Sequence, residues 1–212
     1  FLLVANVGEE GEGNLSGMRF LCRQSPLRTR LRSFLVLDGP GVDSITATAL
    51  GSRRFEVVFT GPGGHSWTDH GAANPVHALC RAVSLFNDVP LNGLSGAASR
   101  FSFNFGIIEG GLSVNAIPAA ASAKVDLRSE SGEMIDQLAG VLNDCLERAL
   151  TVENSRSIGA KLAVRVRDIG SRPAGRLAQT AAILQILSAV DQHLGIRAQL
   201  DCSSTDANIP IS

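Results

Sequence analysis

The segment RRFEVVFT, residues 53–60, opens the part of the sequence that decides the fold, because here the chain changes to a new order of strands and helices. The six predicted elements are strand 53–60, helix 73–87, strand 100–108, strand 117–127, helix 131–150 and strand 161–168. This β-α-β-β-α-β order predicts a ferredoxin-like sandwich, in which a four-stranded antiparallel sheet carries two helices on one face.

The sequence on both sides of this region has the pattern of a parallel α/β protein. Its predicted elements are a buried strand at 1–7, a helix at 15–23, a buried strand at 33–37, a β-rich run at 42–50, a linker at 171–175, a helix at 176–194 and a strand near 197–201. Insertions are tolerated where a host chain turns at its surface, so we predict an inserted domain at 53–168 between incomplete segments 1–52 and 169–212. Because buried strands need neighbours on both sides, we also expect flanking sequence and interpret the chain as an internal piece of a longer one.

The overall composition argues against several classes of partner. Lys and Arg total 19 against 20 Asp and Glu, so no large field of one sign exists to attract nucleic acid or an anionic membrane. No apolar run approaches the roughly 20 residues of a membrane span. Four cysteines are scattered without a C-x-x-C pair, which favours a reducing, cytoplasmic location.

Carboxylates follow two of the predicted strands directly. Glu9 and Glu10 lie in a glycine-rich turn after the strand at 1–7, and Asp38 lies at the end of the next strand. Ligand sites in open α/β sheets lie beyond the carboxyl ends of strands. Consecutive side chains diverge, so one carboxylate can bind a metal while the other handles a proton. A solvated turn without function is the alternative interpretation.

A second glycine-rich turn, at 61–66, presents His65 with little steric cover. A structural histidine is the alternative interpretation. A zinc pair with His70, a phosphate-binding loop and a nucleophile at Ser66 each lack the spacing or motif that such sites need.

Three further polar residues stand where packing does not demand them, namely Asn115, Arg128 and Arg172. Together they offer a neutral amide donor and two guanidinium groups, which could bind the carboxylate of a substrate. The alternative interpretation is that the asparagine only forms a turn and the two arginines only lie at the surface.

With these residues, the chain resembles the co-catalytic zinc hydrolases that include glutamate carboxypeptidase, acetylornithine deacetylase, succinyl-diaminopimelate desuccinylase, peptidase T and aminoacylase. The resemblance spans nearly the entire chain and rests on six motifs in order. They are Asn-Val-Gly-Glu-Glu-Gly-Glu-Gly at 6–13, Leu-Asp-Gly-Pro at 37–40, Gly-Gly-His-Ser at 63–66, Gly-Gly-x-x-x-Asn-x-Ile-Pro at 110–118, Asp-x-Arg at 126–128 and Ser-Thr-Asp-Ala at 204–207.

The resemblance implies a zinc-peptidase-type α/β catalytic domain with an inserted ferredoxin-like lid or dimerisation domain. It also implies hydrolysis of an amide bond in a peptide or N-acyl amino acid. Glu9 would be the general base that deprotonates a zinc-bound water, and Glu10 and Asp38 would be zinc ligands.

The remaining site residues follow from the same resemblance. His65 would reach from the lid of one subunit of a homodimer into the active site of the other and help to stabilise the oxyanion. Asn115, Arg128 and Arg172 would hold the carbonyl or carboxylate of the substrate. Thr205 and Asp206 would line the pocket.

Departures from the family pattern concern the metal site. Relatives carry a His-x-Asp motif and a bridging aspartate before these segments and a last histidine ligand after them, and this chain carries none of the three. We therefore expect two zinc ions in a complete parent protein, but an incomplete site and no activity in this chain alone. Trp67 also stands where relatives often have small residues.

A non-catalytic dimerisation or regulatory module with a ferredoxin-like fold is the competing hypothesis.

Overall fold

A computed structural model describes residues 1–39, 41–90 and 100–212 of the chain. Pro40, the last residue of the Leu-Asp-Gly-Pro motif, lies outside the described residues, as does the side chain of Glu12. The chain divides into two compact units, which are described separately. The first contains 1–52, 128–132 and 170–212, and the second contains 53–127 and 133–169. Compactness does not test independent folding, so the domain boundaries at 52/53 and 168/169 stay a prediction.

Helices and strands are mixed along the described residues. They are a 3-10 turn at Gly11–Gly13, α1 Ser16–Arg23, β1 Ser44–Ala49, β2 Gly51–Thr60, β3 Gly64–His65, α2 Pro75–Asp88, β4 Phe101–Gly110, β5 Ala116–Ile117, β6 Ala120–Ser129, α3 Gly132–Arg156, β7 Ala163–Arg172, β8 Gly175–Arg176, α4 Ala182–Leu194, β9 Gln199–Ser203 and α5 Asn208–Ile211. Within the described ranges, none of the helices combines the length and the hydropathy that a membrane-spanning helix needs.

The second unit is built on a four-stranded sheet in the order β4-β6-β2-β7. The last strand of the β-α-β-β-α-β series is therefore at one edge, next to the first, which is the ferredoxin-like arrangement. Alternate residues of β6 are buried, because successive side chains of a strand lie on opposite faces. Helices α2 and α3 share one hydrophobic cluster with this sheet. The predicted fold class is thus confirmed.

The first turn of α2 shows how local sequence and packing cooperate. Asn74 is the N-cap, and its side chain accepts hydrogen bonds from the amides of Val76, at 2.9 Å, and His77, at 3.4 Å. Pro75 follows at the first helical position, where its missing N–H costs nothing. The amide of Asn74 donates to Oε1 of the buried Glu153 of α3, at 3.0 Å. The start of α2 is therefore attached to α3 by a buried carboxylate.

The first unit contains a three-stranded sheet in the order β8-β1-β9. Strand β1 is parallel to β9 and antiparallel to the two-residue β8. A small cluster of Leu15, Met18 and Ile209 packs α1 against α5, and the half-buried Phe34 and Val36 lie against it.

The predicted strands at 1–7 and 33–37 are wrong. Both segments lack regular structure, and side chains such as Phe1, Leu3 and Leu37 are exposed. An apolar run becomes a strand only when a neighbour satisfies its main-chain hydrogen bonds, and neither segment belongs to the described sheets.

Three predicted boundaries also shift. The helix predicted from residue 176 begins at Ala182, because Gly175–Arg176 pair with β1. The strand predicted at 117–127 is divided before Ala120, where Pro118 has no N–H to donate. The linker at 171–175 is partly strand, since β7 extends to Arg172.

Burial in the second unit predicts the reactivity of its cysteines. Burial raises the pKa of the Cys145 thiol, with Arg148 opposing and Asp144 reinforcing the shift, whereas Cys80 is exposed. Because the thiolate is the reactive form, we expect iodoacetamide to modify Cys145 more than about tenfold more slowly than Cys80 in the folded protein. Peptide mass spectrometry measures both rates. Equal rates without denaturant would contradict the prediction, and urea should equalise them.

Candidate active site

The glycine-rich loop at 8–13 folds back on itself and presents Glu9. Leu15 donates its amide to the carbonyl oxygen of Gly8 at 2.8 Å, and Gly17 donates to Val7 at 3.0 Å. A Cβ atom at Gly13 would lie 2.6 Å from the Cα and carbonyl oxygen of Gly8. The loop therefore needs glycine at position 13 because two main-chain segments touch there.

Arg172 holds the carboxylate of Glu9. Its Nη1 donates to Oε1 of Glu9 at 2.8 Å and to Oγ of Ser204 at 3.2 Å, and its Nη2 donates to the main-chain oxygen of Glu9. The arginine side chain is only 10% exposed and the glutamate side chain 26%. Water screens such a half-buried pair less than a surface pair, and the three hydrogen bonds of the guanidinium group fix its position.

A second contact joins the same two parts of the first unit. Asn6 donates through Nδ2 to Oδ2 of Asp206, a carboxylate that is 7% exposed. The other oxygen of Asp206 is buried without a hydrogen-bond partner among the described residues. Thr205 is equally buried, and its hydroxyl accepts from the amide of Ala207 at 3.0 Å. The segments 6–9 and 204–206 thus meet through polar side chains, and one carboxylate oxygen is left to accept a donor.

The predicted metal ligands are less organised than Glu9. Glu10 is exposed and precedes the 3-10 turn without making a capping hydrogen bond, and Asp38 is exposed after a segment without regular structure. Within the described ranges, no three His, Cys, Asp or Glu side chains are grouped so that they could hold a metal ion. Two carboxylates alone also lack the nitrogen or sulfur ligands that zinc prefers. The residues present therefore do not fit a complete two-zinc centre, and the ligand roles of Glu10 and Asp38 stay predictions.

In the second unit, the short β3–β5 ribbon brings His65 and Asn115 together. His65 is paired with Ala116, and the amide of Ser66 donates to the carbonyl oxygen of Asn115 at 2.9 Å. The imidazole Nδ1 of His65 accepts from the amide of Trp67 at 3.2 Å. The side-chain oxygen of Asn115 accepts from a neighbouring hydroxyl at 2.5 Å. The side chains of the predicted catalytic residue His65 and of the predicted substrate-binding residue Asn115 are both exposed on this ribbon.

Arg128 lies half-buried near the end of β6, in the segment 128–132 that belongs to the first unit. Its role in binding a substrate stays a prediction.

Sequence reasoning missed Asn6, Ser204, Asp69 and Asn208 as structural partners of the site. Asn6 and Ser204 stand inside motifs that were recognised, since Asn6 precedes Glu9 by three residues and Ser204 directly precedes Thr205. Asp69 follows His65 by four residues, a spacing that a turn can close. No sequence signal links Asn208 to its partners, which lie 158 and 35 residues away.

Comparisons with a solved structure and with a family model show what this chain is similar to. The structure resembles that of a tripeptidase from Staphylococcus aureus with a TM-score of 0.73 and 18% identity, over 97% of this chain and 51% of that chain. At this identity the likeness shows the fold alone, a mixed α/β fold. Residues 48–153, half of the chain, match the family model described as the peptidase dimerisation domain. The chain belongs to this family, and the predicted resemblance is confirmed.

Two curated relatives agree with this assignment. The chain is 30% identical to a probable carboxypeptidase of Aspergillus clavatus over 169 residues, which is 73% of this chain and 37% of the relative. It is 30% identical to a succinyl-diaminopimelate desuccinylase of Rhodopseudomonas palustris over 108 residues, which is 50% of this chain and 28% of the relative. The chain therefore spans about a third of the length of these relatives.

Proposed function

We propose that a longer protein containing this chain hydrolyses an amide bond of a peptide or of an N-acyl amino acid, with Glu9 as the general base toward a zinc-activated water. The names of the relatives, carboxypeptidase and desuccinylase, support this class of reaction. The observation that carries the proposal is the half-buried Glu9 carboxylate, fixed by Arg172 in a loop built for close main-chain contact.

The arrangement suits proton transfer for a physical reason. A general base must be held within hydrogen-bond reach of the proton that it accepts. Arg172 contacts Oε1 of Glu9 and the main-chain oxygen of the same residue, so the second carboxylate oxygen, Oε2, is the atom proposed to accept the proton. Ser204 also accepts from Arg172, which ties the guanidinium to the chain two residues before Asp206.

Arg172 is also proposed to bind the carboxylate of the substrate, with Arg128 and Asn115, and Thr205 and Asp206 are proposed to line the pocket. Guanidinium groups bind carboxylates through two parallel hydrogen bonds. A substrate carboxylate at Arg172 would compete with Glu9 for Nη1 and so release Oε1 of the base.

Two zinc ions are the expected cofactor of the longer protein, with Glu10 and Asp38 among their ligands. Zinc supplies a hydroxide near neutral pH when it is bound. The described residues of this chain contain no group of three His, Cys, Asp or Glu side chains that could hold a metal ion, so Glu10 and Asp38 alone would give an incomplete zinc site.

The family match supports two further proposals. A peptidase dimerisation domain implies a homodimer, and His65 is proposed to act across that dimer as a donor to the oxyanion. A cytoplasmic location is proposed because the four cysteines are scattered along the sequence without a C-x-x-C pair.

The test is an assay of the longer protein after loading with zinc. Release of an amino acid from unblocked dipeptides would identify a peptidase, and release from N-succinyl or other N-acyl amino acids would identify a deacylase. Chelation should abolish either activity, and added zinc should restore it. A zinc-loaded, dimeric protein that cleaves neither substrate class would contradict the proposal and favour a non-catalytic dimerisation module.

A further inference from the structure

We propose that Asp69 is a positioning residue for His65, because its carboxylate closes the turn 65–69 in which the amide of Trp67 selects the imidazole tautomer. The selected tautomer carries its proton on Nε2. This inference rests on the proposed function only where His65 serves as an oxyanion donor; the tautomer itself is a property of the folded chain.

The turn is closed by one carboxylate oxygen and one main-chain contact. Oδ2 of Asp69 accepts from the amide of His65 at 2.7 Å and from the hydroxyl of Thr68 at 3.3 Å. In return, the amide of Asp69 donates to the carbonyl oxygen of His65 at 2.9 Å. The peptide groups on both sides of His65 are therefore held by Asp69, and the residues between them have little freedom.

Within this closed turn, the amide of Trp67 lies 3.2 Å from Nδ1 of His65. A main-chain N–H can only donate, so Nδ1 must be the unprotonated acceptor, and the proton of the neutral ring must be on Nε2. The contact depends on the path of the chain from His65 to Trp67, which is the path that the Asp69 carboxylate fixes.

The neighbouring glycine leaves space for this carboxylate. A Cβ atom at Gly64 would lie 2.8 Å from Oδ2 and 2.9 Å from Cβ of Asp69. The main chain at Gly64 also has a φ of +153°, a conformation that residues with a Cβ atom rarely adopt. The glycine before His65 is therefore required by Asp69, which gives a physical reason for part of the Gly-Gly-His-Ser motif.

On the other side of the histidine, the β3–β5 ribbon pairs His65 with Ala116. The imidazole is thus attached to a two-strand ribbon and to a closed turn, while the side chain itself is exposed. A donor that is oriented before the substrate arrives stabilises a developing oxyanion without reorganisation at the moment of reaction. Asp69 and the Trp67 amide together provide this orientation.

Nuclear magnetic resonance of the 212-residue chain tests the tautomer directly. Long-range 1H–15N spectra at about pH 8, where imidazoles are ordinarily neutral, distinguish Nδ1–H from Nε2–H. His65→Gln identifies the His65 signals among the four histidines. We expect the Nε2–H form in the unchanged chain and a mixture of tautomers in Asp69→Ala. Asp69→Asn should restore the single form, because its side-chain oxygen can still accept from the His65 amide.

Two further variants keep this test decisive. Gly64→Ala, which places a methyl group in the space of the carboxylate, should produce the same mixture as Asp69→Ala. Asp144→Asn, which removes a carboxylate from an exposed position on α3, is the matched control and should leave the His65 signals unchanged. A mixture in the unchanged chain, or a single Nε2–H form in both Asp69→Ala and Gly64→Ala, would overturn the proposal.

Kinetics of the longer protein provide a second readout. His65→Ala should lower kcat by about 100- to 1000-fold, as expected for an oxyanion donor. Asp69→Ala should lower kcat by about tenfold or more, with KM changed less than about twofold, and Asp69→Asn should recover most of the loss. A larger effect on KM than on kcat would contradict the positioning role. If the longer protein is inactive but the tautomer pattern is as expected, the proposed function fails and the positioning role of Asp69 stands.

Discussion

Replacing Glu9 with glutamine in the longer protein is expected to lower kcat by about 100- to 10,000-fold, the usual contribution of a general base. Glutamine has nearly the same shape and still offers Oε1 to Arg172, so the contact at 2.8 Å can persist. What is lost is the ability to take a proton at the second oxygen. Steady-state kinetics on the substrate that the zinc-loaded protein cleaves measure the effect.

A matched control and the zinc content separate chemistry from folding. Glu147→Gln makes the same change at an exposed position of α3 and should leave kcat unaltered. Zinc bound per protomer should be the same in both variants. A Glu9→Gln protein that retains more than about a tenth of the original kcat would refute the assignment of Glu9 as the base.

The change Asn208→Ala is expected to destabilise the first unit by about 3 kcal/mol. The Asn208 side chain is completely buried and makes three hydrogen bonds. Its Oδ1 accepts from the amide of Thr205 at 2.8 Å, and its Nδ2 donates to the carbonyl oxygens of Leu50, at 2.8 Å, and Pro173, at 2.9 Å. Each such bond contributes roughly 1 kcal/mol, and a buried group left unpaired costs about 1–3 kcal/mol.

Urea unfolding of the chain, together with hydrogen exchange at the Thr205 and Ala207 amides, measures this loss. Exchange is the more local readout, because both amides lie in the turn that Asn208 supports. Asn143→Ala, an exposed position on α3, is the matched control and should change the free energy of unfolding by less than about 0.5 kcal/mol. An equally small change for Asn208→Ala would show that these hydrogen bonds contribute little.

The ferredoxin-like unit was predictable because its elements are defined by local patterns. Ala121, Ala123, Val125 and Leu127 alternate with half-buried residues along β6, and all four are buried in the structure. Their spacing of two is the signature of a strand with one face in a core. The order of the elements then restricts the possible sheets to very few.

The strands expected at 1–7 and 33–37 failed for the opposite reason. An apolar run of five to seven residues indicates that its burial is favourable. A strand also requires a neighbouring strand whose main-chain groups can pair with its own. Phe34 and Val36 instead pack against the cluster of Leu15 and α5.

The β-α-β-β-α-β order and the family resemblance follow from the sequence alone, because motifs and periodicity are properties of neighbouring positions. The roles of the site residues that the motifs indicate stay predictions. The tertiary structure was needed to show that Arg172 is hydrogen-bonded to Glu9, 163 residues away in sequence, and Asn208 to Leu50, 158 residues away. Contacts at such separations depend on how the elements pack, and the energy of a hydrogen bond depends on distances of a few tenths of an ångström. No local pattern encodes those distances, so the partners of a site residue had to be observed in the folded chain.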